Sequence, residues 1–262
     1  MMLTREHFFY LLIAWMVLAV IIFPLLLSVT VPYGRHTKTT WGPTIPSRLG
    51  WFVMELPVIV VFSVLFFLGN VEKTWPLLII YSTFMLHYVH RVFIFPLAIK
   101  SKGKRMPLLI VLLAFNFNLI NGFFNGYWFG WLSGIYEISW LTDPRFILGI
   151  ILFFAGMYLN ISSDYQLIQL RKDGRKGYFI PQKGLFKSVS SPNLLGEIVE
   201  WLGWALMSWC LPAASFALWT MANLVPRAID HHRWYKTRFP DYPAHRTALI
   251  PWSLFRKKQA GS

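Results

Sequence analysis

The sequence FFYLLIAWMVLAVIIFPLLLSV, residues 8–29, decides the class of fold because it contains no charged side chain from end to end. A helix of this length is about 30 Å long, which is the thickness of the hydrocarbon core of a bilayer. Arg5 precedes the run as it would in a signal peptide, but the run is too long and no small-residue cleavage site follows it. We therefore predict a retained membrane-spanning helix, with Pro24 kinking or ending its last turns.

Further apolar runs repeat this pattern along the chain. Of the 262 residues, 56% are hydrophobic and only 14% are charged, a composition too apolar for a soluble domain. The sequence therefore predicts an all-α polytopic membrane protein with seven transmembrane helices, in which residues 1–262 form one domain without a soluble module. Whether Pro212 divides the last two spans or kinks a single one stays open. The six further spans are predicted over residues 51–68, 75–99, 107–122, 146–161, 198–210 and 211–225.

Basic residues alternate along the connections between the predicted spans. Most of the 25 lysines and arginines lie in the first, third and fifth connections and in the C-terminal segment. The N-terminus and the even-numbered connections contain only Arg5, Lys73 and Arg145. The positive-inside rule then places the N-terminus outside and the C-terminus in the cytoplasm. The same charges attract anionic membrane lipids, whereas a nucleic-acid partner is disfavoured because no recognition motif accompanies them.

Ionisable side chains within predicted spans need an explanation, because each is costly unless it is paired or hydrated. Glu55 lies near the start of the second span, where a protonated carboxyl could donate a hydrogen bond; an interfacial glutamate beside Pro57 is the simpler alternative. In the third span, residues 87–91 place Tyr88 and Arg91 on one helix face, with an interfacial aromatic belt as the alternative. A di-iron desaturase is disfavoured, because the seven histidines form neither an HxxxH nor an HxxHH motif.

Two further polar faces lie at the ends of later spans. Asn160 and Asp164 are four residues apart, as are Asn193 and Glu197, so each pair shares a helix face. A solvated helix end is the alternative for the first pair, and an ordinary helix start explains Glu200 and part of the case for Glu197.

The segments that follow these faces carry amides, tyrosines and basic side chains on the same predicted side of the membrane. Such a mixture suits a ligand with ribose, amide and phosphate groups, although an amphipathic helix on the membrane surface would also explain the C-terminal part. No GxGxxG or P-loop sequence exists, so a nucleotide must be held by a fold other than the Rossmann fold. The candidates are Arg171, Tyr178, His231, Tyr235 and Arg246.

Taken in order, these motifs resemble the steroid 5α-reductase family, and most closely its type 2 isozyme. The resemblance extends from about Glu55 to Phe255 and is specific because many motifs recur in the same order. Its carriers are Glu55-Leu56-Pro57, His87 through Arg91, Thr142-Asp143 with Arg145-Phe146, Asn160 through Tyr165, Pro181-Gln182 with Gly184-Leu185-Phe186, Asn193 through Glu197, His231 through Tyr235, Asp241-Tyr242-Pro243, Arg246 and Ala248 through Pro251.

The resemblance implies an enzyme that reduces the Δ4 double bond of a 3-ketosteroid with NADPH, adding hydride at C5 and a proton at C4. The steroid would enter from the bilayer, and the NADPH site would face the cytoplasm. The residues that match the family's catalytic pair are Glu55 and Tyr88, which would hydrogen-bond the C3 carbonyl and stabilise the enolate charge. No metal is implied.

The resemblance also assigns binding residues, and it places most of the cofactor side in residues 160–262. An arginine contact agrees with a preference for the 2′-phosphate of NADPH. The implied cofactor residues are Arg91, Asn160, Asp164, Arg171, Tyr178, Asn193, Glu197, His231, Tyr235 and Arg246. The implied substrate residues are Met54, Trp201, Phe216 and Trp219.

Three departures from the type 2 pattern leave the identity of the substrate open. Met54 replaces a glutamine, Ser162 replaces a histidine, and Leu113 stands near the position of an arginine. The rival functions are a related membrane reductase of a sterol-nucleus or enoyl-thioester double bond, an isoprenylcysteine methyltransferase-like enzyme, and a non-catalytic lipid transporter or lipid-binding protein. The expected protein is a monomer in a bacterial inner membrane or the endoplasmic reticulum.

Overall fold

The computed structural model describes residues 3–31, 41–99, 103–170 and 177–251. These residues are mostly helical, which confirms the predicted all-α class. Five segments are long and apolar enough to cross a membrane: Arg5–Ser28, Ser47–Leu68, Trp75–Ala98, Leu108–Leu132 and Pro144–Gln169. The described helices are α1 (Arg5–Ser28), α2 (Ser47–Leu68), α3 (Trp75–Val89), α4 (Phe95–Ala98), α5 (Leu108–Tyr127), α6 (Pro144–Gln169), α7 (Pro192–Ser208) and α8 (Leu211–Arg238).

Each of the seven predicted apolar runs corresponds to a helical segment, but several predicted boundaries were wrong. α5 continues five residues past Gly122, α6 continues to Gln169, and α7 begins at Pro192 rather than residue 198. The prediction ended these spans where polar residues appear. In α6 and α7, the polar side chains there bond to groups of the neighbouring helix.

Pro24 and Pro212 occupy different positions in their helices: Pro24 lies inside α1, and Pro212 lies at the start of α8. α1 runs through Pro24 and ends only at Ser28, so this proline does not end the helix. The last two predicted spans are separate helices, with Pro212 in the first turn of α8, where its missing N–H costs no helical hydrogen bond. The break lies at Trp209, whose left-handed backbone (φ 44°, ψ 46°) ends α7.

Two π-helical turns interrupt the membrane segments. One, His90–Ile94, joins α3 to α4, and the other, Trp128–Leu132, extends α5. A π turn places an extra residue in the helix and is frequent at functional sites. The first of these turns contains Arg91, one of the predicted site residues.

Glycine allows two pairs of helices to pack with their backbones in contact. On α6 and α7, Gly149 faces Gly203 and Gly156 faces Gly196, and a Cβ atom at any of the four would overlap the backbone of the other helix. Gly122 and Gly126 give α5 a similarly close approach to α2. Small residues serve this purpose in membrane proteins, where packing drives helix association. The α6–α7 contact determines the spacing of the polar faces that these helices carry.

One end of the helical bundle gathers the basic connections, and we call it the basic end. Strand β1 (Thr44–Pro46) of the first connection pairs antiparallel with β2 (Arg105–Pro107) of the third. The ammonium of Lys104 lies 5.9 Å from the ring centre of Tyr178 in the fifth connection. Val189 forms a parallel bridge with Thr247, which ties the fifth connection to the C-terminal segment.

The other connections meet at the opposite end of the bundle. The N–H of Val71 donates to the carbonyl of Gly130 at 2.9 Å. The hydroxyl of Tyr136 donates to the carbonyl of Ser208 at 2.7 Å, and the indole N–H of Trp140 donates to that of Met207 at 3.0 Å, which satisfies the end of α7. Asp143 accepts from the backbone N–H of Arg145 at the start of α6.

Candidate active site

A cluster of carboxylates surrounds Arg91 inside the bundle. Its guanidinium lies 3.7 Å from the carboxylate of Asp164 on α6 and interacts electrostatically with Glu55 on α2 and Glu197 on α7. It also lies 4.8 Å from the ring centre of Trp51. Arginine suits such a site because its flat, delocalised charge stacks on aromatic rings while its edge meets carboxylates. The π-helical turn thus supplies a basic partner for Asp164.

The polar faces of α6 and α7 interlock directly. The amide of Asn160 donates to the carbonyl of Asn193 at 3.0 Å and to the carboxylate of Glu197 at 3.4 Å. The amide of Asn193 donates to the carboxylate of Asp164 at 2.8 Å. Glycine contact between the two helices makes these bonds possible. The structure therefore brings the four predicted residues together, and their role as cofactor ligands stays a prediction.

The predicted catalytic pair lies beside this cluster. Glu55 accepts a hydrogen bond from the Asn118 amide on α5 at 3.2 Å, and the Tyr88 side chain interacts electrostatically with the Glu55 carboxyl. Tyr88 is 4% exposed and also interacts with the amide of Asn121. The Tyr88 hydroxyl therefore lies in a region from which most water is excluded. Such a region strengthens any hydrogen bond that a buried carbonyl oxygen accepts.

Aromatic rings line the next layer. The rings of Trp201 and Phe216 are 4.4 Å apart, and the Tyr88 ring lies 5.8 Å from Trp201 and 6.5 Å from Phe216. Trp219 lies farther from Tyr88, with its ring 4.4 Å from Trp15 of α1. Flat apolar surfaces of this kind suit a ligand built from fused hydrocarbon rings.

Met54 takes a different place from the other predicted substrate residues. Its side chain packs in a separate apolar cluster with Met106 and Val111, near the basic end. Its backbone carbonyl accepts a hydrogen bond from Asn118 at 2.7 Å. Contact between Met54 and a substrate stays a prediction.

The C-terminal candidates form a second layer at the basic end. The guanidinium of Arg246 donates to the carbonyl of Pro181 at 2.9 Å and to the side chain of Gln182 at 2.8 Å. The rings of Tyr235 and Tyr242 stack at 5.2 Å. The remaining C-terminal candidates are placed as follows: His231 lies 3.3 Å from the Ser191 hydroxyl, Tyr178 lies against Trp234 with 4.9 Å between ring centres, and Arg171 is outside the described residues.

Sequence reasoning missed two features of this region. Glu200, interpreted as part of an ordinary helix start, is completely buried, with its carboxylate 2.8 Å from Nδ1 of His87. Asn118, Asn121 and Asn125 form a buried polar face on α5 that no part of the sequence reasoning used. Their spacing of three and four residues was a usable signal. Among the described residues, no three His, Cys, Asp or Glu side chains meet as metal ligands would.

Comparison with known proteins gives a consistent result. Residues 104–254 match the family model described as 3-oxo-5-alpha-steroid 4-dehydrogenase. The chain is 42% identical to the steroid 5-alpha-reductase DET2 of Arabidopsis thaliana over 234 residues, which cover 87% of this chain and 89% of the relative. It is 40% identical to the bovine 3-oxo-5-alpha-steroid 4-dehydrogenase 1, over 90% of this chain and 92% of the relative. Identity to the pig 3-oxo-5-alpha-steroid 4-dehydrogenase 2 is 42%, over 84% and 87%.

Proposed function

Because this chain belongs to the steroid 5α-reductase family, an oxidoreductase family that acts on CH–CH bonds, we propose that it reduces the Δ4 double bond of a 3-ketosteroid with NADPH. The observation that carries this proposal is the position of Glu55 and Tyr88. These two side chains lie between an aromatic wall on one side and a polar cluster on the other. A reaction that joins an apolar substrate to a polar cofactor needs this arrangement.

Glu55 and Tyr88 would act on the oxygen of the substrate. Addition of hydride at C5 of an enone moves negative charge to the C3 oxygen. Hydrogen bonds from a protonated Glu55 and from the Tyr88 hydroxyl stabilise this charge more than they stabilise the neutral carbonyl, and so they lower the barrier. A proton added at C4 then completes the saturated ketone.

The α6–α7 face would hold the cofactor. Bound NADPH supplies the hydride, and the donor and acceptor set formed by Asn160, Asp164, Asn193 and Glu197 matches ribose hydroxyls and a carboxamide. Arg91 neutralises the two acids. The outer part of the cofactor site would be formed by Arg171, Tyr178, His231, Tyr235 and Arg246.

The aromatic wall would hold the steroid. Trp201 and Phe216 flank Tyr88, and Trp219 continues the wall toward α1, whose outward side chains are apolar and exposed. A steroid dissolved in the bilayer could therefore reach the catalytic pair between helices. Met54 would influence the substrate site indirectly, through the residues next to it.

The proposed topology has seven spans, with the N-terminus outside and the C-terminus in the cytoplasm. Its support is the meeting of the basic connections at one end of the bundle, because the positive-inside rule assigns that end to the cytoplasm. The cofactor site would then open to cytoplasmic NADPH. The proposed protein is a monomer that contacts membrane lipids along its exposed apolar faces.

The first experiment is NADPH consumption by the purified protein in detergent with progesterone or testosterone, with products identified by mass spectrometry. A 5α-dihydro product is expected. Binding of NADPH without reduction of either steroid would move the substrate to another enone, a sterol or an enoyl thioester. Absence of NADPH binding would overturn the proposed function and favour a lipid carrier.

A further inference from the structure

The asparagine face of α5, formed by Asn118, Asn121 and Asn125, touches both proposed catalytic residues. The three side chains are 4%, 3% and 0% exposed. Buried amides in a membrane protein are costly unless their hydrogen bonds are made. Each of them nevertheless leaves one polar atom without a hydrogen-bond partner among the described residues: Oδ1 of Asn118, Nδ2 of Asn121 and Oδ1 of Asn125.

The orientation of the Asn118 amide follows from chemistry alone. One of its terminal atoms lies 2.7 Å from the carbonyl oxygen of Met54, which can only accept a hydrogen bond, so that atom is the nitrogen. The same nitrogen lies 3.2 Å from Oε2 of Glu55. The carbonyl oxygen of a protonated carboxyl accepts hydrogen bonds more strongly than its hydroxyl oxygen, so this N–H donor favours an unprotonated Oε2. A neutral Glu55 therefore carries its proton on Oε1.

We propose that Asn118 is a positioning residue that places the Glu55 proton on Oε1. The inference rests on the proposed function, because it explains how the Glu55 hydrogen faces the oxygen of the substrate. Asn118 need not touch the substrate. It disfavours the alternative proton position, in which the Glu55 hydrogen would face α5.

The test compares two isosteric substitutions on one helix. Asn118→Leu removes the donor to Glu55, whereas Asn116→Leu is the matched control, because the exposed Asn116 donates only to the Leu112 carbonyl of its own helix. Loss of one such hydrogen bond is expected to lower kcat roughly tenfold. KM for the steroid and Kd for NADPH should stay unchanged. The same kcat in both variants would overturn the proposal.

Infrared spectroscopy gives a readout that does not depend on activity. The carbonyl stretch of a protonated Glu55, assigned by its loss in Glu55→Gln, should move to higher frequency in Asn118→Leu, because Oε2 loses its hydrogen bond. It should stay in place in Asn116→Leu. An unmoved band, or the absence of any protonated Glu55 band, would overturn the proposal. If the wild-type protein reduced no enone, the band shift would still decide the position of the proton, so the two failures are distinguishable.

If Asn118→Leu does not fold, Asn118→Asp is used in its place, because it keeps the size of the side chain and removes the N–H donor. The same two measurements then apply. A folded Asn118→Asp protein with wild-type kcat would overturn the proposal.

Discussion

The two ends of the helical bundle use polar residues in opposite ways. At the end opposite the basic connections, polar side chains satisfy backbone groups of helix ends, as Tyr136 and Trp140 do for α7. Between the centre and the basic end, polar side chains meet one another, as Arg91, Asp164 and Glu197 do. The first arrangement stabilises the fold. The second brings together the charged groups that we propose as part of the cofactor site.

The largest effect is expected when one hydroxyl group is removed from the centre of the bundle. Tyr88→Phe keeps the ring packing against Trp201 and Phe216 and removes only the hydroxyl. We expect kcat to fall by at least about 100-fold, because the lost donor acts on charge that develops during the reaction. NADPH affinity and thermal stability should be unchanged. Full enone reduction by this variant would remove the role of Tyr88.

A smaller effect is expected from the carboxylate cluster. Asp164→Asn removes the negative charge beside Arg91 and the acceptor for Asn193. A lost hydrogen bond to a charged group should weaken NADPH binding by about tenfold or more. Titration calorimetry measures this change, with the exposed Asp241→Asn at the same end as the control. Equal Kd values for the two variants would take Asp164 out of the nucleotide site.

The opposite end should respond in stability alone. Tyr136→Phe leaves the Ser208 carbonyl without its donor and should destabilise the protein by about 1 kcal/mol. Thermal unfolding in detergent measures the loss, and Tyr158→Phe, at a side chain that is 76% exposed, is the control. NADPH affinity should not change. A Tyr136→Phe protein that has the wild-type Tm but binds NADPH more weakly would contradict the division between the two ends.

The smallest expected effect is a change in the stability of the protein at low pH. Hydrogen bonds from Arg145 lower the pKa of Asp143 from 3.8 to about 2. Because the pKa is lower in the folded state, the carboxylate stabilises the protein above pH 3.8, and this contribution is lost as pH falls toward 2. Asp143→Asn should therefore differ from the wild type in Tm at neutral pH and converge with it in strong acid. A difference that persisted at pH 2 would contradict this assignment.

The sequence predicted those features that depend on local spacing. Helical periodicity places Asn160 and Asp164 on one face of α6 and Asn193 and Glu197 on one face of α7, and the five apolar segments follow from composition. The sequence left open whether the last two spans form one helix or two. The break between them could not be predicted, because the left-handed backbone at Trp209 is unusual for a residue with a side chain.

Features that depend on which helices are neighbours could not be predicted. Glu200 resembles any acid in a first or second helical turn, and only the packing of α3 against α7 places it beside His87. The asparagines of α5 carry no charge, so a search for costly ionisable groups passes over them. Arg91 is more than seventy positions from Asp164 along the chain, and no spacing rule connects residues at that separation.

The glycine contact between α6 and α7 has a consequence for how ligands enter and leave. With backbone against backbone at Gly149, Gly156, Gly196 and Gly203, the two helices cannot slide or separate without losing their whole interface, so they move as one rigid body. Their polar faces keep a fixed spacing throughout a catalytic cycle. Any motion that changes the surroundings of these polar faces must therefore come from other elements, such as the segment that carries Arg91.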